Sequence, residues 1–242
     1  MIFLIRTLFY MRLIERIKTA YERWSMIPSS ELTLYAEKCD AYALGEIDSE
    51  AMQNGICEYM DQAAGRARAI SSAVGRTKEP PLADVFTEAT NMFVDAITRG
   101  EELSHLNIKV FSEKNICLPK KGYRKPDVSL WKNEKLICII ECKTCLGRQR
   151  DSWLDDYEKR VNEFSEIGLS KEALFLLVET EQTWSGFPSA DARTLKTWFT
   201  LCPKGSWHGG GKTGEVKLQE KQHVGIVEKF KTSLTNVVLE TC

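Results

Sequence analysis

The chain has 242 residues, 43% of them hydrophobic and 28% charged, and its 33 basic against 34 acidic side chains leave a formal net charge of −1. That balance excludes a globally basic nucleic-acid binder while permitting a local basic patch. No run approaches the roughly 18 uninterrupted apolar residues of a membrane-spanning helix, and the length allows one large domain or two small ones.

The opening MIFLIRTLFYMRLI is apolar, but Arg6 and Arg12 interrupt it and no small-residue cleavage site follows. It reads as an amphipathic helix running on through ERIKTAYERW rather than as a signal peptide, with Met11 as an alternative initiator. Eight cysteines in a chain of this length, without a secretory signal, read as reduced and largely buried thiols, which places the protein in the cytoplasm.

Residues 1–80 read as a helical N-terminal region, divided at Pro80-Pro81 from a second unit over 81–242. Within the first, 48–75 is a helix that Asp48 or Ser49 caps and Gly75 ends. Behind the prolines, Leu82, Val85, Phe86, Ala89, Met92, Phe93, Ala96 and Ile97 fall at helical spacing up to Gly100. The period then changes. Strands are predicted over 106–111, 123–131 and 135–143, the last two joined by the turn KNE as a hairpin. Leu136–Ile140 is apolar on both faces, as in a central buried strand. An amphipathic helix from about 151 to 167 carries the stripe Trp153, Leu154, Tyr157, Val161 and Phe164, and a buried strand follows over 173–178. Residues 205–214 read as a flexible loop by composition, and 224–239 as a helix or a strand plus helix. The class is α/β, a mixed central sheet flanked by helices with a helical N-terminal region.

The segment 125–148 carries chemistry. Glu141 and Lys143 flank Cys142 at the end of a strand, so they share a face while Cys142 takes the other. A short hairpin brings Asp127 alongside them, and two carboxylates and an ammonium converge at the margin of an apolar sheet. Two hard oxygen ligands suit Mg²⁺, which keeps several waters, polarises a phosphoryl oxygen and acidifies a bound water. Lys143 would orient or deprotonate that water, or balance charge on a phosphate.

Pro126-Asp127 followed by Glu141-Cys142-Lys143 resembles the PD-(D/E)xK nuclease superfamily, the fold of type II restriction endonucleases, over roughly residues 82–180. The resemblance implies a restriction-endonuclease-like sheet, Mg²⁺ held by Asp127, Glu141 and the backbone carbonyl of Cys142, and Lys143 serving the nucleophilic water. It also implies an upstream acid on the preceding helix, here Glu88, with Asp84 and Asp95 competing for the role.

Lys120, Lys121, Arg124 and Lys125 form a basic cluster just before Asp127. Arg148, Gln149 and Arg150 lead into the helix near Asp151, whose N-terminus would offer free N–H groups to a phosphate. Other motifs carry less. GGGKT (209–213) lacks the glycine a phosphate loop needs at 206, where Ser206 stands. Cys142 and Cys145 have no second pair for zinc, and His105, His208 and His223 show no ligand spacing. Trp184, Trp198 and Trp207 suit a core as well as base stacking.

The expectation is a Mg²⁺-dependent endonuclease cutting double-stranded DNA, foremost a type II restriction enzyme. It would act as a homodimer, with a cognate DNA methyltransferase encoded nearby and no membrane partner. A structure-specific repair, recombination or phage-defence nuclease, and a non-catalytic DNA-binding module on the same fold, are the alternatives. The acidic site should repel DNA until a divalent ion neutralises it, so Ca²⁺ should support binding without cutting.

Overall fold

A computed structural model describes residues 12–76, 82–119, 121–144, 150–180, 197–202 and 224–242. Helices α1 (Leu13–Glu22), α2 (Ser30–Ala43), α3 (Ser49–Ala73) and α4 (Ala83–Arg99) come first. Ser29 caps α2 by accepting from the Leu32 N–H, and Asp48 caps α3 by accepting from the Ala51 N–H, each satisfying a donor that the helix leaves open. Gly75 then takes φ +70°, a left-handed conformation suited to glycine, just after α3. Buried Asp40 accepts from the Leu13 and Ile14 N–H groups and from Arg99, which also pairs with Asp95, so one carboxylate joins α1, α2 and α4.

Strands β1 (Lys109–Ser112), β4 (Val128–Lys132), β5 (Lys135–Lys143), β6 (Leu174–Thr180) and β7 (Trp198–Cys202) form a five-stranded sheet in the order β1-β4-β5-β6-β7. β1, β4 and β5 pair antiparallel, and β5, β6 and β7 pair parallel, so the sheet is mixed as expected. A separate ribbon pairs β2 (Ile116–Leu118) with β3 (Gly122–Arg124). Helix α5 (Arg150–Ser165) lies between β5 and β6 in the chain, and α6 (Ile226–Thr241) ends it. Asn133 and Glu134 both take positive φ in the β4–β5 turn, the geometry whose twist suits a two-residue hairpin.

Alternation along the strands divides the core. Ile140, Phe175, Leu177 and Leu201 face Phe86, Phe93 and Phe230 of α4 and α6, and residues of α1–α3 join the same cluster. Ile139, Leu174, Leu176 and Val178 face the other way, onto Tyr157 and Phe164 of α5. No helix among the described residues is long and apolar enough to cross a membrane.

Several expectations need correction. The strand expected over 123–131 is two: β3 stops at Arg124 and β4 starts at Val128, because Pro126 between them has no N–H to give a ladder. The strand expected from 106 starts at Lys109, after a short 3₁₀ turn and a left-handed Asn107. β2 and β7 were not anticipated, and 226–241 is one helix. Residues 205–214, Trp184, Trp207 and His223 lie outside the described residues.

The reduced-thiol expectation fails at one pair. α3 packs over β7, which places the Cα atoms of Cys57 and Cys202 5.8 Å apart and joins the two as a disulfide. Cys39, Cys138 and Cys142 are buried free thiols, and Cys117 and Cys242 are exposed ones. The pair Cys57→Ser/Cys202→Ser should lower the unfolding free energy by about 2–5 kcal/mol. Urea denaturation without reductant measures the loss, and peptide mapping without reductant should recover the linked pair from the wild-type chain.

Candidate active site

The β4–β5 register builds the site. Val128 pairs with Ile140, so one step outward Asp127 stands opposite Glu141. Directly opposed residues of antiparallel strands point to one face, and Lys143, two residues on, shares it. That face is the α5 side, because Ile140 and Cys142 belong to the opposite core. The Asp127 Oδ2 accepts from the Cys142 N–H at 2.7 Å, and the Lys143 Nζ stands 3.7 Å from the same oxygen. The clasp fixes the Asp127 carboxylate just where Pro126 has ended the ladder.

Glu141 differs from its two neighbours. Its side chain is only 3% exposed, against 26% for Asp127 and 32% for Lys143. Arg160 of α5, which the sequence reading missed, makes an ion pair with the Glu141 Oε1. Burial raises the Glu141 pKa, Arg160 pulls it down, the Asp127 charge raises it again and Lys143 lowers it, and the balance stays above the ordinary carboxylate value. At 100° per residue Arg160 falls about 60° from Tyr157 and about 40° from Phe164 on the helical wheel, within the sheet-facing stripe. A guanidinium in an apolar stripe and a carboxylate in an apolar strand need each other, and that pairing was the signal available in the sequence.

α5 is held against the sheet by Tyr157, whose hydroxyl donates to the Leu174 carbonyl at 2.6 Å and bonds the Thr197 hydroxyl at 2.8 Å. Its ring meets Trp198 edge-on, and Arg160 follows one turn later.

The remaining expected residues are scattered. Glu88 lies on α4 with its side chain exposed over much of its area, while its crowded carboxyl is partly buried. That partial burial and then the Asp84 charge raise its pKa, and burial and then the Glu88 charge raise that of Tyr59 on α3. Asp95 is held by Arg16 and Arg99. Lys121 and Arg124 both bond Glu163 of α5, at 2.7 and 3.0 Å, which ties the β2–β3 ribbon to that helix. Lys125 is exposed. Arg150 opens α5, while Lys120, Cys145, Arg148 and Gln149 lie outside the described residues.

The donor set fits Mg²⁺. Asp127 and Glu141 supply hard oxygens side by side, and their mutual repulsion is part of what raises the Glu141 pKa, a strain that a divalent ion relieves. Among the described residues no group of three His, Cys, Asp or Glu side chains could hold a metal; two carboxylates are a number Mg²⁺ commonly takes with water completing its shell. The carbonyl of Cys142, between Glu141 and Lys143, is the backbone donor nearest in sequence. The chain matches no protein-family model and no curated protein.

Hydrogen bonds from Arg124 foremost, and from Lys121, hold the Glu163 carboxyl down at about 2 against an ordinary 4.5. A depressed acid stabilises the fold above its unfolded pKa and loses that contribution as pH falls through its folded pKa. Glu163→Gln should therefore lower the urea midpoint relative to wild type above about pH 4.5, with the gap closing as pH falls towards 2. Urea titrations of both proteins at several pH values between 2 and 7 measure the gap, and a gap independent of pH would refute the assignment.

Proposed function

We propose that this chain is a Mg²⁺-dependent endonuclease of double-stranded DNA, with a restriction-endonuclease-like core of the PD-(D/E)xK type and, foremost, the role of a type II restriction enzyme. The observation that supports this reading is the β4–β5 register, which sets Asp127 opposite Glu141 with Lys143 on the same face. The mixed sheet with helices on both faces agrees with it.

In this reading Asp127, Glu141 and the Cys142 carbonyl hold the metal. Bound there, Mg²⁺ supplies the Lewis acidity that polarises a phosphoryl oxygen and lowers the pKa of a water. The chain's own residues do the rest. The Cys142 N–H fixes the Asp127 carboxylate in one orientation. Lys143, 3.7 Å from Asp127, would orient or deprotonate the attacking water or balance the charge that builds on the phosphate. Lys125, exposed just before Asp127, meets the DNA backbone. A two-fold homodimer would place one such site on each strand of a symmetric sequence, and a methyltransferase would protect that sequence in the host.

Asp127→Asn keeps an acceptor for the Cys142 N–H, and Lys143→Met keeps the chain length. Each should reduce Mg²⁺-dependent cleavage of plasmid DNA by about 10²–10³-fold or more, with circular dichroism unchanged. An Asp127→Asn protein that cuts as fast as wild type would overturn the reading. Digestion of lambda DNA sorts the roles. Discrete bands support restriction, cleavage confined to flaps or junctions supports a structure-specific nuclease, and binding without cleavage under any divalent ion supports a binding module.

A further inference from the structure

We infer that Arg160 is a positioning residue that stands in for the metal: it holds Glu141 in the site while no divalent ion is bound, and passes to a DNA phosphate when one is. The inference rests on the nuclease reading and concerns how that site is loaded. It begins from charge. Asp127 and Glu141 contribute two negative charges, and Lys143 and Arg160 contribute two positive ones. The expectation of an acidic site that repels DNA leaves out this second cation, and these four groups sum to zero before any metal enters.

Adding a divalent ion makes that balance strongly positive, and the ion and the guanidinium compete for one carboxylate. Lys143 lies 3.7 Å from Asp127 and comes from the strand itself, whereas Arg160 reaches Glu141 from α5. Its side chain is 37% exposed against 3% for Glu141, so the guanidinium spans from the buried carboxylate to the solvent. The helix that carries it stays in place, because the Tyr157 hydroxyl is bonded to Leu174 and Thr197. Moving the charge outward then takes a change at the Arg160 side chain and not at the helix. Outside, the planar fork suits two oxygens of a phosphate, and the entering DNA supplies them. The metal then gains Glu141 because the phosphate has drawn the guanidinium away. Metal and DNA should therefore each strengthen the binding of the other, by one and the same factor.

Two equilibrium measurements on the full chain test this, with Ca²⁺ as the probe ion. The first is calorimetric titration of Ca²⁺ into DNA-free protein. The second is the affinity for a short mixed-sequence duplex with and without Ca²⁺. Arg160→Met removes the competing charge and should bind Ca²⁺ about tenfold tighter than wild type at pH 8, while the Ca²⁺-induced gain in DNA affinity, expected at about 5–150-fold in wild type, should shrink towards unity. Arg160→Lys keeps a cation without the fork. It should bind Ca²⁺ within about twofold of wild type yet lose most of the coupling to DNA, and it covers the case in which Arg160→Met fails to fold. Arg160→Met binding Ca²⁺ no tighter than wild type, or either variant keeping the wild-type coupling, would overturn the inference. The nuclease reading is judged separately, by whether the wild-type chain cuts DNA with Mg²⁺ and whether Asp127→Asn abolishes that cleavage, neither of which depends on Arg160.

Discussion

The charge of Glu141 is the constraint around which this end of the molecule is organised. β5 is apolar from Ile137 to Ile140 and buried on both faces, so a carboxylate in its continuation loses its water. An uncompensated buried ion costs several kcal/mol, and the neighbourhood answers that cost from two directions. Arg160 comes down from α5 and Lys143 comes from the same strand, against the repulsion of Asp127, which is tied to the Cys142 N–H. The docking of α5 by Tyr157 and the ending of the β4 ladder at Pro126 then have local reasons. Each places one charge within reach of another at the mouth of the sheet.

α5 works in two directions. Its sheet-facing side delivers Arg160 to Glu141, and a neighbouring position delivers Glu163 to Lys121 and Arg124 of the β2–β3 ribbon. The ribbon is also held by Ile116 and Leu118, which pack into the α5 core. Two cations that the sequence offers to DNA thus serve to close the ribbon over the helix. With a net charge of −1 and those two already paired, DNA affinity would draw on few phosphate contacts, and its salt dependence would be shallow.

Much of this was legible because it is local. The run Leu136–Ile140 announced a central strand, the short turn announced its partner, and alternation put Glu141 and Lys143 on one face. α3 and α4 followed from period, cap and terminating glycine. What escaped is what only tertiary contact decides. Trp198–Cys202 is a short apolar run with no alternation, and only its pairing with β6 makes it a strand. Cys57 and Cys202 lie 145 residues apart in sequence, a separation that no local pattern bridges. Reading α5 by its apolar stripe alone passed over Arg160, the cation inside that stripe. Glu88 was placed by resemblance to a family pattern, and the neighbours coupled to its charge are Asp84 on α4 and Tyr59 on α3.

The Arg160–Glu141 pair is poorly explained as a stabilising device. Replacing a buried ion pair by apolar side chains of similar volume is often neutral or stabilising, and the same sheet face shows what such a replacement looks like in Ile139, Leu176 and Val178 against Tyr157 and Phe164. A chain needing only a close-packed joint between α5 and β5 had that solution two residues away, at Ile139. It keeps instead two opposed carboxylates, one of them with its pKa raised above the ordinary value, balanced by two basic side chains that are each about a third exposed. That arrangement suits the proposed site, in which Arg160 gives up Glu141 to a metal while Lys143 stays beside Asp127.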